Sequence, residues 1–216
     1  MIFVYPYKKK DSDFCIIHSV KLLNKYYPNS AIFTIGDKVD GIDNIPHDDS
    51  NIIRGANVTS KLLLASESFR EFVYMNDDFF INDRIDFNRV YCGSELLERK
   101  EGKASISWNQ SVDNTKHYLS HNNLNTITYE CHQPVLFNSE LLRSTMSQID
   151  WRNNDHFVKS LYFNINPPTN PMPIDNVKLI EPNINRANMF LSMFGCFSIG
   201  QGFLTEQGAN FIKKLI

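Results

Sequence analysis

The first third of the chain alternates short, strongly apolar runs with longer amphipathic ones. IFVYPY at Ile2–Tyr7 is β-branched and aromatic, which predicts a strand. Asp11, Ser12 and Asp13 follow as candidate helix caps. Phe14, Ile17, Val20 and Leu23 then recur at near-helical spacing, and Pro28 closes the segment. AIFTI at 31–35 predicts a second strand ending at Gly36. Residues 52–69 favour helix with Leu62, Leu63 and Leu64 inward, and FVYM at 72–75 predicts a third strand. Strand, helix, strand, helix, strand implies parallel pairing and a nucleotide-binding α/β half. Ligands of such sheets sit beyond the carboxyl ends of the strands. The loops at 8–13, 36–49 and 76–83 are therefore expected to meet.

The second half is less regular. Residues 135–148 predict a helix after Pro134, 155–164 a shorter one, and NPPTNPMP at 166–173 a surface loop. VKLI at 177–180 reads as a late strand, and Thr205 caps a terminal helix over 205–215. No internal repeat or low-complexity tract interrupts this order.

Composition narrows the class. A length of 216 residues suits one domain, and 42% apolar with 12% aromatic residues excludes a disordered chain. The net charge of -2 creates no global field for nucleic acid, so any polyanion would need a local patch. No run approaches the roughly 18 apolar residues of a membrane helix. The N-terminal apolar run precedes its lysines, the reverse of a secretory signal. Cys15, Cys92, Cys131 and Cys196 form no CxxC pair, which argues against a zinc ribbon or disulfide scaffold and for a reducing cytoplasm. Abundant Asn, Ile, Lys, Phe and Tyr suit an AT-rich genome, such as those of many bacteria and their viruses. P-loop, GxGxxG, GxSxG and HExxH motifs are absent.

The chemistry concentrates in FVYMNDDFFI, where Asn76, Asp77 and Asp78 interrupt an apolar stretch. Charge in such surroundings is costly unless something binds it. Adjacent carboxylates at a strand end suit a Mg²⁺ or Mn²⁺ ion shared with a diphosphate. They equally suit a turn in which they accept backbone N–H bonds. His132, in YECHQPVLFN, is a candidate ligand of the same metal or an acid–base group; a core histidine bonded to backbone is the alternative. Glu130 is expected to share a strand face with it. His47, Asp48 and Asp49 lie in the second strand's loop, and Lys8, Lys9 and Lys10 stand where phosphates would approach. Arg54 and Lys61 are placed to reach the same rim. Asp155 and Lys159, flanking His156, have the spacing of an i,i+4 ion pair worth about a few tenths of a kcal/mol.

Three segments resemble nucleotide-sugar glycosyltransferases of the GT-A fold: SDFCIIHSVKLLNKYYPNSAIFTIGD, IPHDDSNIIRGANVTSKL and FVYMNDDFFI. The likeness is nearest to the capsule-type sugar-phosphate transferases called the Stealth family. That family has an NDD-plus-aromatic motif and a later histidine-proline segment, which ECHQPVLFNSELL resembles; SLYFN and FSIGQGFL look like its late elements. The resemblance implies an α/β, GT-A-like single domain over 1–216, with a Rossmann-like parallel sheet in its N-terminal half. Residues 1–83 would hold the nucleotide sugar, and 84–216 the acceptor and catalytic groups.

By the same resemblance, Asp77 and Asp78 hold Mn²⁺ or Mg²⁺ on the diphosphate of a UDP-sugar, and His132 completes the metal shell or contacts the phosphates. Tyr5, Lys8, Lys10, Asp37, Arg54 and Asn76 would line the donor, while Asp78, His132, Glu130 and Asp155 are the catalytic candidates. The family's first-strand Trp and Val-Asp-Gly run are missing from VYPYKKKDSD, and the chain is shorter than most members. Glycosyl transfer is therefore preferred to sugar-1-phosphate transfer, with a non-catalytic nucleotide- or carbohydrate-binding module as a third reading.

The expected acceptor is a saccharide or 5-hydroxymethylcytosine in bacteriophage DNA, with neither a membrane nor an obligate protein partner evident. A DNA acceptor calls for a basic rim. Lys8 to Lys10, Arg54, Arg84, Arg89, Arg99, Lys100 and Lys103 are its candidates, with 84–103 as an acceptor loop.

Overall fold

Side-chain alternation along β1 (Ile2–Tyr7) builds both faces of the central sheet. Phe3, Tyr5 and Tyr7 enter one apolar cluster, and Val4 enters the other. The computed structural model describes residues 1–93, 106–174 and 176–216. After β1 the chain forms α1 (Phe14–Tyr26), β2 (Ala31–Gly36), β3 (Asp43–Ile45), α2 (Arg54–Ser68), β4 (Glu71–Tyr74), β5 (Phe79–Ile81) and β6 (Tyr91–Cys92). Next come α3 (Ile106–His121), β7 (Val135–Asn138), α4 (Ser139–Met146), α5 (Val158–Ile165) and β8 (Met172–Pro173). The chain closes with β9 (Lys178–Leu179), α6 (Ile184–Phe194), β10 (Cys196–Ile199) and α7 (Glu206–Leu215).

The main sheet has the order β3-β2-β1-β4-β7. Its first four strands are parallel, with Ile2 opposite Ala31 and Phe3 opposite Val73. α1 packs Ile16, Val20, Leu22 and Leu23 into the cluster of Phe3, and α2 packs Ala56, Leu62 and Ala65 into that of Val4. The expected parallel α/β half is present, with helices on both faces. A smaller sheet, β5-β10-β9, joins the first cluster through Phe79, Phe80, Ile81 and Phe197, and β6 pairs with β8 in a third.

Several expectations change. Residues 135–138 are not helical but form an antiparallel edge strand on β4, with Phe137 opposite Phe72. Val-Leu-Phe fits a pleated surface, and β4 has an open edge to be paired. The helix starts only at Ser139, where Asn138 Oδ1 accepts from the Leu141 N–H at 3.1 Å. The helix expected from 155 begins at Val158. Within the proline-rich loop, Met172 and Pro173 pair with Tyr91 and Cys92. Thr205 caps α7 as expected, accepting from the Gly208 N–H at 3.3 Å.

Candidate functional site

The strand order reverses at β1, which leads through α1 to β2 on one side while β4 lies on its other side. The crevice beyond the carboxyl ends of β1 and β4 is therefore the topological switch point. Lys8–Lys10 leave β1 there, and Asn76–Asp78 leave β4. The Lys10 ammonium bonds Asp77 Oδ2 across the crevice. Asp78 is fastened to the smaller sheet: its Oδ2 meets Lys178 Nζ and accepts from the Ser198 hydroxyl, both at 3.2 Å. Its backbone carbonyl accepts from the Ile199 N–H at 3.2 Å. The other carboxylate oxygen, Oδ1, is buried and has no hydrogen-bond partner among the described residues. Burial pushes the Asp78 carboxyl above its ordinary pKa and Asp77 adds to the rise, while Lys178 and Ser198 oppose it.

Tyr74, the last residue of β4, donates its hydroxyl to Asn76 Oδ1 at 2.5 Å. Burial raises its pKa, the charges of Glu130, Asp78 and Asp77 raise it further, and Arg54 opposes them. Four charged groups singled out in the sequence thus act electrostatically on one phenol. Cys15, in the first turn of α1, lies beside the same pair: burial pushes its thiol up to about 12, with Asp77 and Asp78 contributing.

The floor is built by Lys61. Its Nζ donates to the Tyr7 carbonyl at 2.8 Å and pairs with Asp49 Oδ1 at 2.8 Å, with the side chain only 3% exposed. His47 Nδ1 lies 3.3 Å from the same Asp49 oxygen, and its Nε2 is 2.8 Å from Ser60 Oγ. One ammonium therefore gathers the ends of β1 and of the loop after β3. Gly36 makes room for it. At φ +117° it lies so close that a Cβ would stand 2.2 Å from the Tyr7 carbonyl and 2.7 Å from Lys61 Nζ. Asp37 Oδ2 accepts from the Lys9 N–H at 2.7 Å, tying the first-strand loop to the end of β2. Lys8 is exposed, whereas Tyr5 is a core residue whose hydroxyl lies 2.7 Å from Ser19 Oγ.

The second half contributes a wall. Val135 pairs with Tyr74, so residues 130–134 enter at the sheet end from which Asn76–Asp78 leave. His132 has φ 56°. The left-handed turn there replaces the expected strand face shared with Glu130. Glu130 instead seats α5: Oε1 accepts from the Ser160 N–H at 3.2 Å and hydroxyl at 3.0 Å, and Oε2 lies 3.6 Å from Lys159 Nζ. A carboxylate is favourable at a helix N-terminus.

The expected Asp155–Lys159 pair therefore does not form, because Asp155 precedes α5. Asp155 accepts from Ser107 at 3.2 Å and lies against Gly55, where a Cβ would stand 1.8 Å from its Oδ1. Burial raises the Asp155 pKa, while Ser107, Ser111 and Arg54 oppose the rise. Neighbouring His156 is pushed down to about 4 by burial and is neutral near physiological pH. Gly55→Ala is expected to expel Asp155 from its seat and cost about 1–3 kcal/mol, read from thermal unfolding. A variant as stable as the parent would contradict that packing.

The rim residues divide. Arg54, Arg84 and Arg89 are all exposed, and Arg84 turns to Ser192, reaching its carbonyl at 3.3 Å and hydroxyl at 3.2 Å. Arg99, Lys100 and Lys103 lie outside the described residues. Lys178 and Ser198 escaped the sequence reading, although Lys178 in VKLI repeats the signal of a charge entering an apolar run.

Among the described residues, no group of three or more His, Cys, Asp and Glu gathers to hold a metal, so Asp77, Asp78 and His132 are not assembled as one ligand set. The two carboxylates nevertheless fit a hard cation. Such ions commonly take one or two protein carboxylates with phosphate and water oxygens, and the buried Asp78 Oδ1 is an unpartnered oxygen of the right chemistry. Among the described residues, no helix is long and apolar enough to cross a membrane.

No protein-family model and no curated protein matches the sequence. Solved structures do. The galactosyltransferase LgtC, in complex with donor and acceptor sugar analogues, superposes with a TM-score of 0.51 at 12% identity, covering 100% of this chain and 95% of that one. An active-site mutant of LgtC gives 0.50 at 11% identity with the same coverage. A glycosyltransferase involved in glycosylating the major capsid of PBCV-1 is similar at 0.44 and 10% identity, over 99% of this chain and 98% of that one. The fold of this chain is GT-A-like, the architecture of these glycosyltransferases.

Proposed function

We propose that the protein is a metal-dependent glycosyltransferase that moves a sugar from a nucleoside diphosphate sugar, a UDP-sugar in the first instance, to an acceptor hydroxyl. The observation that carries this reading is the Asp77–Asp78 pair at the switch point, with a buried carboxylate oxygen that no group among the described residues satisfies. Asp77 and Asp78 would hold Mn²⁺ or Mg²⁺. When bound, the cation neutralises charge on the departing diphosphate.

The chain's own residues do the rest. Lys61 and Gly36 hold the first-strand loop and the end of β2 as the nucleoside's seat. Asn76, fixed by Tyr74, positions the aspartates. Asp155 and Glu130, at the N-termini of α2 and α5, are the carboxylate candidates for activating the acceptor, Glu130 being engaged with Ser160 and Lys159 and Asp155 with Ser107. An acceptor hydroxyl attacks the sugar carbon as its bond to the diphosphate breaks, through an oxocarbenium-like state, and the hydroxyl proton passes to one of these carboxylates or to the departing diphosphate. A saccharide is the acceptor favoured here. Lys10 is engaged with Asp77 and Arg84 with Ser192, which thins the basic rim that DNA would need.

The test offers several UDP-sugars with Mn²⁺, then a panel of saccharides, plain DNA and hydroxymethylcytosine-containing DNA. Product mass and released nucleotide are measured. UDP release with a sugar mass on a saccharide is the expected result. UMP release would indicate sugar-phosphate transfer, and a mass added only to the hydroxymethylated base would move the acceptor to DNA. No turnover in any arm would leave a binding module.

A further inference from the structure

The two aspartates of the pair each carry a lysine, and the lysines come from opposite ends of the chain. Lys10, in the loop after β1, sits on Asp77 with its side chain 55% exposed. Lys178, at the start of β9, sits on Asp78 with its side chain 26% exposed. Asp78 is held by more than its cation, since it also has Ser198 and its backbone bond to β10. We infer that Lys10 and Lys178 are the diphosphate-binding cations of this site, held on the aspartates until a divalent cation takes those carboxylates. The inference rests on the donor reading above and adds to it which groups receive the phosphates and how they are released.

An ammonium and a divalent cation compete for the same carboxylate, and once both are close they repel each other. Lys10 is more than half exposed, so its ammonium can leave Asp77 for water at little cost. A metal on Asp77 and Asp78 would therefore displace both ammoniums while their stems stay anchored nearby. They would then stand beside the ion, where the phosphate oxygens it binds must lie. Lysine is a common phosphate binder, acting as a mobile point charge. Lys10 and Lys178 would approach the diphosphate from the β1 side and the β9 side respectively.

This exchange has a signature that fixed salt bridges lack. Removing a lysine removes a competitor of the metal but also a ligand of the diphosphate, so its effect changes sign when nucleotide is added. Lys10→Met, Lys178→Met and the double variant would be titrated by calorimetry with Mn²⁺ alone and with UDP in the presence of Mn²⁺. Each single variant is expected to bind Mn²⁺ alone about two- to five-fold more tightly. The same variants should bind UDP with Mn²⁺ about ten-fold more weakly, with Lys178→Arg recovering much of the loss. Thermal unfolding of the unliganded variants verifies that each is folded.

If the parent binds UDP with Mn²⁺ but the variants show unchanged or weaker metal binding alone, or unchanged UDP binding, the exchange is wrong and the donor reading survives. If the parent binds no nucleoside diphosphate with metal, the donor reading falls and the exchange falls with it.

Discussion

Asp78→Asn is expected to lower sugar transfer by about 10²–10³-fold while the variant melts at or above the parent near neutral pH. The two effects have one origin. Burial raises the Asp78 carboxyl pKa, so the folded protein disfavours the charged form relative to the unfolded chain. A raised folded pKa means that this group's contribution is most favourable below its unfolded pKa and is lost as pH rises through the folded one. Wherever its carboxyl is ionised, the parent therefore carries a destabilising charge that the amide lacks. Lys178 loses its partner but, being partly exposed, can turn to water. The stability gap between variant and parent should close as the pH is lowered, because the parent's carboxyl then takes up its proton. Melting curves at neutral and mildly acidic pH, beside initial rates, check both halves. Parental activity with unchanged metal dependence in Asp78→Asn would remove this residue from the site.

Lys61→Met is expected to destabilise the fold by about 3–5 kcal/mol, the usual loss when one partner of a buried ion pair is removed. Methionine keeps much of the apolar stem but leaves Asp49, 16% exposed, without its close counter-ion. The Tyr7 carbonyl loses the same donor. In urea unfolding the midpoint should fall with little change in slope, since the surface exposed on unfolding hardly changes. A loss under about 1 kcal/mol would show that Lys61 is not the anchor of these loops.

The first third of the fold is legible in the sequence because its strands are buried on both faces and its helices on one. IFVYPY, AIFTI and FVYM carry continuous apolar runs, the mark of interior parallel strands. The aspartates announce themselves as charge inside such a run. Where the reading fails, the deciding partner is distant. Pro134 followed by Val-Leu-Phe is locally consistent with a helix start, and only the open edge of β4 makes 135–138 a strand. Asp155 and Lys159 have the spacing of a helical ion pair, but α5 begins between them, so the residues face different partners.

Lys178 and Ser198 meet Asp78 from 100 and 120 residues away. No local pattern records that contact. It follows from β5 pairing with β10 and β10 with β9, both short strands set by tertiary packing. Lys61 looks like an ordinary helix lysine in SKLLL; its burial depends on a carbonyl 54 positions earlier.

A nucleoside diphosphate sugar is expected to bind at the Asp77–Asp78 end of the sheet through a divalent cation. Thermal shift with a panel of nucleotide sugars tests it most directly, each with Mn²⁺ and with a chelator, on the parent and on Asp78→Asn. A ligand at about 100 times its Kd adds about 2.7 kcal/mol, which is readily seen as a rise in Tm. The account predicts a rise for at least one nucleoside diphosphate sugar in the parent with Mn²⁺, and none with chelator or in Asp78→Asn. An equal rise in Asp78→Asn, or no rise with any donor, would contradict it.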